Sequence, residues 1–235
     1  MSLDKPHIVI IGGTSGIGLA TARRFATQSA AVTIVGRDRS KLDMALEGLG
    51  SSVQGEVADA ADRSALDALF ARIDPIDHLV IAASGGAGAG PFTTLNADGL
   101  RRGFEAKFWV QWHTAQAAIP HLAKTGSLIF VTAASSRLAN PGTSGLAAIN
   151  GALERMVPTL ARELAPLRVN GVSPGVIDTA WWADKPAGMF EAASQAAPLA
   201  RAGRAEEVAD AIAFLAGNAF VTGIILDVDG GLHLT

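Results

Sequence analysis

The strongest constraint on the fold lies between residues 7 and 26. An apolar run, His7 to Gly12, passes directly into Gly12-Gly13-Thr14-Ser15-Gly16-Ile17-Gly18, and this turn opens a helical pattern in which Ile17, Ala20, Thr21, Arg24 and Phe25 share one face. A turn stripped of side chains between a strand and a helix lets a backbone approach a pyrophosphate. The helix amino end then supplies N–H donors and a favourable dipole. Strand, turn and helix stand in the required order, which favours a phosphate site over an ordinary tight turn.

The same alternation continues along all 235 residues. Further strand candidates are Ala31 to Gly36, Ser52 to Val57, His78 to Ala83, Ser127 to Thr132, Arg168 to Val172 and Ile224 to Val228. Helices are expected over Gly16 to Ser29, Ser40 to Gly48, Asp62 to Ile73, Asp98 to Leu122, Ser144 to Ala165 and Ala205 to Ala216. Apolar strands separated by amphipathic helices predict an α/β fold: a Rossmann-type, doubly wound, parallel seven-stranded sheet with helices on both faces. No internal repeat or low-complexity linker divides the chain, so residues 1–235 are expected to form a single domain. The irregular stretches Gly85 to Pro91 and Pro174 to Ala200 each follow a strand, on the ligand side of such a sheet.

Composition narrows the chemistry. The chain has no cysteine and no tyrosine, so it has neither a thiolate nor a phenol with which to act. With 19 Lys+Arg against 22 Asp+Glu, the formal charge of -3 gives no basic field for nucleic acid. Each apolar run is interrupted before the roughly 18 residues of a membrane span, and the start Met1 to Pro6 lacks the features of a secretory signal. A cytoplasmic protein acting on small molecules is expected. The five histidines, His7, His78, His113, His121 and His233, show no metal-ligand spacing supported by carboxylates, so no metal site is assigned.

The end of the second strand reads Val35-Gly36-Arg37-Asp38. An acid at this place binds a free ribose 2′-hydroxyl, and an arginine binds a 2′-phosphate. Arg37 comes first and, with Ser15, makes a 2′-phosphate site, so NADP(H) is the expected cofactor; Asp38 leaves NAD(H) as the alternative. A solvated turn is the competing role for Arg37.

The spacing of Gly12, Gly16 and Gly18 resembles the short-chain dehydrogenase/reductase family, and the resemblance extends along nearly the whole chain. Asp59 in Val57-Ala58-Asp59-Ala60 matches the family's adenine-contacting aspartate. Arg168 to Gly175, with Pro174-Gly175, matches its sixth strand and turn. Val176-Ile177-Asp178-Thr179 matches the segment that holds the nicotinamide carboxamide, and Gly203 to Ala209 and Val221 to Gly231 match the last helix and strand. The resemblance implies that Gly12, Thr14, Ser15, Gly16, Ile17, Gly18, Arg37, Asp59, Ala60, Ala82, Ala83, Asn150, Pro174, Gly175, Ile177 and Thr179 hold the dinucleotide. It also implies a substrate-covering segment at about 176–200 and a homodimer or homotetramer. Trp181, Trp182, Met189 and Phe190 in that segment suit an apolar substrate.

The family's catalytic residues are all replaced. Leu146 stands at the tyrosine position, Asn150 at the lysine, Ala133 at the serine and Lys107 at the asparagine. Ile81-Ala82-Ala83-Ser84 replaces the family's Asn-Asn-Ala-Gly. Lysine and amide have thus exchanged places, which makes Lys107 and Asn150 the candidates for handling the proton in a hydride transfer between nicotinamide and a small carbonyl or alcohol. Lys107 bonded to a backbone carbonyl as a space-filler is the competing role. Ser136, in the loop after Ala133, is a third candidate, and Ser144 is expected to cap its helix. Trp109 is expected to pack in the core. The vacant positions also admit a catalytically silent NADP(H)-binding sensor or partner subunit.

Overall fold

The computed structural model describes residues 5–28, 30–73 and 75–235. The elements run β1 (His7–Ile11), α1 (Gly16–Ala26), β2 (Ala31–Gly36), α2 (Arg39–Glu47), β3 (Val53–Val57), α3 (Arg63–Ile73), β4 (Ile76–Ile81) and α4 (Ala97–Gly103). They continue with α5 (Val110–Ala118), β5 (Leu122–Val131), α6 (Ser144–Glu163), β6 (Arg168–Pro174), β7 (Ile177–Asp178), α7 (Met189–Gln195), β8 (Gly203–Arg204), α8 (Ala205–Gly217) and β9 (Ile225–Val228).

Seven of the strands form one parallel sheet in the order β3-β2-β1-β4-β5-β6-β9, and β7 pairs separately with β8. This is the doubly wound sheet expected from the alternating pattern. Side chains of successive strand residues point to opposite faces, which splits β1 between two cores. Ile8 and Ile10 join Phe25 of α1 and Val208 and Ile212 of α8. Val9 and Ile11 join Leu66 and Phe70 of α3, Ala115 of α5 and Leu153 of α6. With both faces covered, Val9 and Ile10 have no exposure to solvent, so the strand carries no polar alternation.

Three expectations need correction. The stretch from Asp98 to Leu122 is not one α-helix: a π-helical turn, Phe104–Trp109, separates α4 from α5, and a 3-10 turn, Ile119–His121, ends it. Widening the helix from four-residue to five-residue hydrogen bonding rotates the side chains within it, and Lys107 lies inside this turn. Trp109 is 39% exposed, in an aromatic group with Phe108, Trp112 and His113, because the rotated turn carries it out of the core. Ser144 is the first helical residue of α6 and Thr143 occupies the cap, without a side-chain capping bond. The expected end of α1 at Ser29 lies outside the described residues.

Candidate active site

The order β3-β2-β1-β4 places the chain's switch of direction between β1 and β4, where such sheets open a crevice at their carboxyl ends. The glycine turn lines it. Gly12 adopts a positive φ of 82°, and Gly12 and Gly13 both donate to the Val35 carbonyl, at 2.9 and 3.2 Å. A Cβ on Gly18 would stand 2.1 Å from the Gly12 oxygen, and one on Gly12 would stand 2.7 Å from the Ala83 nitrogen. The first turn of α1 therefore lies against the Gly12 backbone at a distance that only glycine permits. Ser15 caps α1 in extended geometry with no side-chain bond to the helix, and no acid stands in the first turn. The Thr179 methyl lies 3.4 Å from the Cβ position of Gly16, so the segment after β6 meets this turn. Thr14, Ile17 and Gly18 complete the glycine-rich turn at the amino end of α1, the kind of place where helix N–H groups and the helix dipole favour a phosphate.

The ends of β2 and β3 lie side by side at the rim of the crevice. Ala58 donates to Gly36 at 3.1 Å, which sets Asp59 and Ala60 beside Arg37 at the sheet's rim. Arg37 is exposed. The Asp38 carboxylate accepts from the Lys41 N–H at 3.1 Å and caps α2. On the other side of the crevice, Ala82 donates to Ile11 and Gly175 to Val228, at 2.9 and 3.1 Å. A Cβ on Gly175 would meet the Asp229 Cα at 2.7 Å, and Pro174 is buried at the end of β6. Ile177 is buried where β7 pairs with β8.

Lys107 and Asn150 are both buried, 7% and 3% exposed. The Lys107 ammonium donates to the Thr132 carbonyl at 3.0 Å. Burial pushes its pKa down to about 8, and the charge of Glu154 acts in the opposite direction. Asn150 Nδ2 donates to the Leu146 carbonyl and to Ser135 Oγ, at 3.0 and 3.1 Å. Among the described residues neither Asn150 Oδ1 nor Ser136 Oγ meets a hydrogen-bond partner, although both are buried. A buried amide oxygen and hydroxyl left unpaired are costly, and a bound hydroxyl or carbonyl is what would satisfy them.

Two supports escaped the sequence reading. Gln111 Nε2 bridges the Ala83 and Val131 carbonyls at 3.3 and 3.0 Å, tying β4 to β5 where the family's asparagine is missing. Thr132 Oγ1 donates to Glu154 Oε1 at 2.8 Å, and the other Glu154 oxygen lies 3.7 Å from Arg137 Nε. Glu154 stands one helical turn beyond Asn150, a spacing that put both on one face of α6.

The Gly85–Gly90 loop closes the site from the β4 side. A Cβ on Gly85 would stand 2.5 Å from that of Ala106, next to Lys107, and the position on Gly86 faces Trp181 Nε1 and Lys185 Nζ at 3.7 and 3.8 Å. Behind this loop lies a cleft of about 370 Å³, lined by Gly86, Gly88, Leu95, Asn96 and Arg102. Trp182 donates to the Ile177 carbonyl at 2.9 Å and packs on Phe190, while Lys185 sits 4.2 Å above the Trp181 ring. Asp227, Asp229 and His233 bring potential ligand atoms within 4.8 Å of one another. Arg137 pairs with Asp227, and His233 Nδ1 lies 2.7 Å from Asp229 Oδ2, so both carboxylates are engaged by neighbouring side chains. No helix among the described residues is long and apolar enough to cross a membrane.

A parallel sheet of this order with a glycine cradle at its switch point defines an α/β dinucleotide-binding protein. Residues 12–233 match the family model described as enoyl-(acyl carrier protein) reductase. The 3-oxoacyl-(acyl-carrier-protein) reductase FabG of Thermotoga maritima is 31% identical over 254 residues, covering 99% of each chain. A solved structure titled a short chain dehydrogenase/reductase family protein superposes with a TM-score of 0.90 at 31% identity, over 100% of both chains. A small-chain dehydrogenase solved in complex with NADPH superposes at 0.82 with 30% identity, over 99% of this chain and 100% of its own. The chain belongs to the short-chain dehydrogenase/reductase family. It is an NAD(P)-dependent oxidoreductase acting on a carbonyl or alcohol group.

Proposed function

We propose that this protein reduces a small, apolar carbonyl compound with NADPH and uses Lys107 as its proton donor. The observation that carries the reading is the buried Lys107 ammonium, whose pKa of about 8 suits an acid working near neutral pH. Nicotinamide, when bound, supplies the hydride. The residues of this chain do the rest. The glycine turn with Ser15 and Thr179 holds the phosphates. Asn150 Oδ1, unpaired among the described residues, accepts from a ribose hydroxyl at the position where the family has its lysine. Ser136 Oγ polarises the substrate oxygen, and Lys107 Nζ gives its proton to the alkoxide that develops there. Trp181, Trp182 and Phe190, within the segment 176–200, exclude water. NADPH is preferred over NADH because Arg37 is exposed at the rim while the Asp38 carboxylate is engaged in capping α2. The NADPH complex of the structural relative agrees with that preference. The family's habit of assembly supports a homodimer or homotetramer.

NADPH absorbance followed against a panel of aldehydes, ketones and quinones tests the reading. Turnover in the wild type should fall at least about a hundredfold in Lys107→Met. Because the acid must be protonated, reduction should be full below pH 8 and decline above it; alcohol oxidation, which needs the free amine, should rise across the same point. Turnover indifferent to Lys107→Met would overturn the mechanism. The Lys107 bond to the Thr132 carbonyl favours a second reading, in which the lysine is structural and the protein is a silent NADPH sensor. That reading expects NADPH binding with no turnover on any substrate.

A further inference from the structure

Behind the candidate acid the chain builds a line of alternating charges. Lys107, from the π-helical turn, donates to the Thr132 carbonyl; the hydroxyl of the same Thr132 donates to Glu154 of α6, 9% exposed. Arg137 approaches Glu154 from the far side, and its guanidinium is itself bound to Asp227 of β9, one of the two contacts at 3.0 Å. A carboxylate at this depth is expensive unless partnered, and its direct hydrogen bond is to a hydroxyl that could equally be satisfied by the Val172 carbonyl 3.1 Å away. Packing alone therefore gives no reason for a charged group at Glu154.

We propose that Glu154 is a positioning residue for Lys107: it pins Thr132 through the hydroxyl, supplies the counter-charge that keeps the buried ammonium protonated, and has that counter-charge moderated by Arg137 and Asp227. The other charged groups on the surrounding elements are placed differently. Glu105 of the π-helical turn is exposed, as are Arg101 and Arg102 of α4, and Arg101 is paired with Asp98 at 2.7 Å. His113 of α5 stacks on Trp109. Glu154 is thus the carboxylate that Lys107 senses most strongly.

The catalytic meaning of this rests on Lys107 being the proton donor, but the electrostatic coupling can be read without turnover. The chain has five lysines, so protein labelled with carbon-13 at the lysine ε position gives a spectrum simple enough to follow each residue, and Lys107→Met identifies the signal. In the wild type this signal should titrate near 8. Glu154→Gln keeps an acceptor for Thr132 and removes only the charge, so the Lys107 midpoint should move down by about one pH unit. Arg137→Gln removes the opposing charge and should move it up by about half a unit. Two variants acting in opposite directions cannot arise from general loosening. No movement in either, or movement of both in one direction, overturns the proposal. If Glu154→Gln fails to fold, Arg137→Gln at its 38% exposed side chain decides alone: an upward shift supports the coupling and an unmoved signal refutes it. Opposed shifts in a protein without turnover would retain the coupling and remove Lys107 as donor; turnover lost in Lys107→Met with unmoved shifts would do the reverse.

Discussion

At the scale of single residues, function here depends on two backbone approaches and a few charges. Gly18 is the least replaceable residue of the cradle, because its Cβ would collide with a carbonyl oxygen, which cannot rotate away as a side chain can. Gly18→Ala should lower the melting temperature and abolish detectable NADPH binding, read by thermal denaturation and fluorescence titration. Arg37 is exposed at the rim, and under the proposed function it acts on discrimination between the two cofactors. Arg37→Ala should raise the Kd for NADPH about 10- to 100-fold, the loss of a charge-assisted contact, and leave that for NADH nearly unchanged. An equal loss for both cofactors would show that Arg37 contacts only what they share.

At the scale of elements, most of the fold was legible because strand and helix periods differ so clearly. The runs around β1, β2, β4 and β5 are apolar on both faces, as a covered parallel sheet demands. What could not be read was local geometry set by packing. No residue type announces a π-helical turn, so the rotation that buries Lys107 and exposes Trp109 is absent from any α-helical projection of residues 98–122. The exchange of Lys107 and Asn150 was visible as a pattern, whereas the partners that give it meaning, Thr132, Glu154 and Arg137, come from three separate segments. In the sequence Asp38 reads only as a cofactor contact, yet it lies two residues past β2 and is the N-cap of α2. Asp38→Ala should cost about 1 kcal/mol in denaturant unfolding, since this carboxylate caps α2, and under the proposed function NADPH binding should persist.

At the scale of the whole molecule, the buried ammonium links folding to pH. Lys107 titrates at about 8 when folded against a usual value of 10.5, so between these limits the unfolded chain holds more protons than the folded one. This group's unfavourable contribution is full below pH 8 and fades as pH rises toward 10.5. Unfolding free energies of wild type and Lys107→Met, measured from pH 7 to 10.5, should therefore show the wild type gaining relative to the variant across that window. A constant difference would place the ammonium in contact with water.

The sheet order also has a bearing on how the chain is made. β1 leaves the ribosome well before one of its two partners, β4, which begins only at Ile76. For the whole interval of synthesis between them, the future centre of the protein is an open strand edge made of Ile and Val, available to any other nascent chain. Growth temperature and translation speed therefore bear on soluble yield through one strand pairing, before any question of cofactor or catalysis arises.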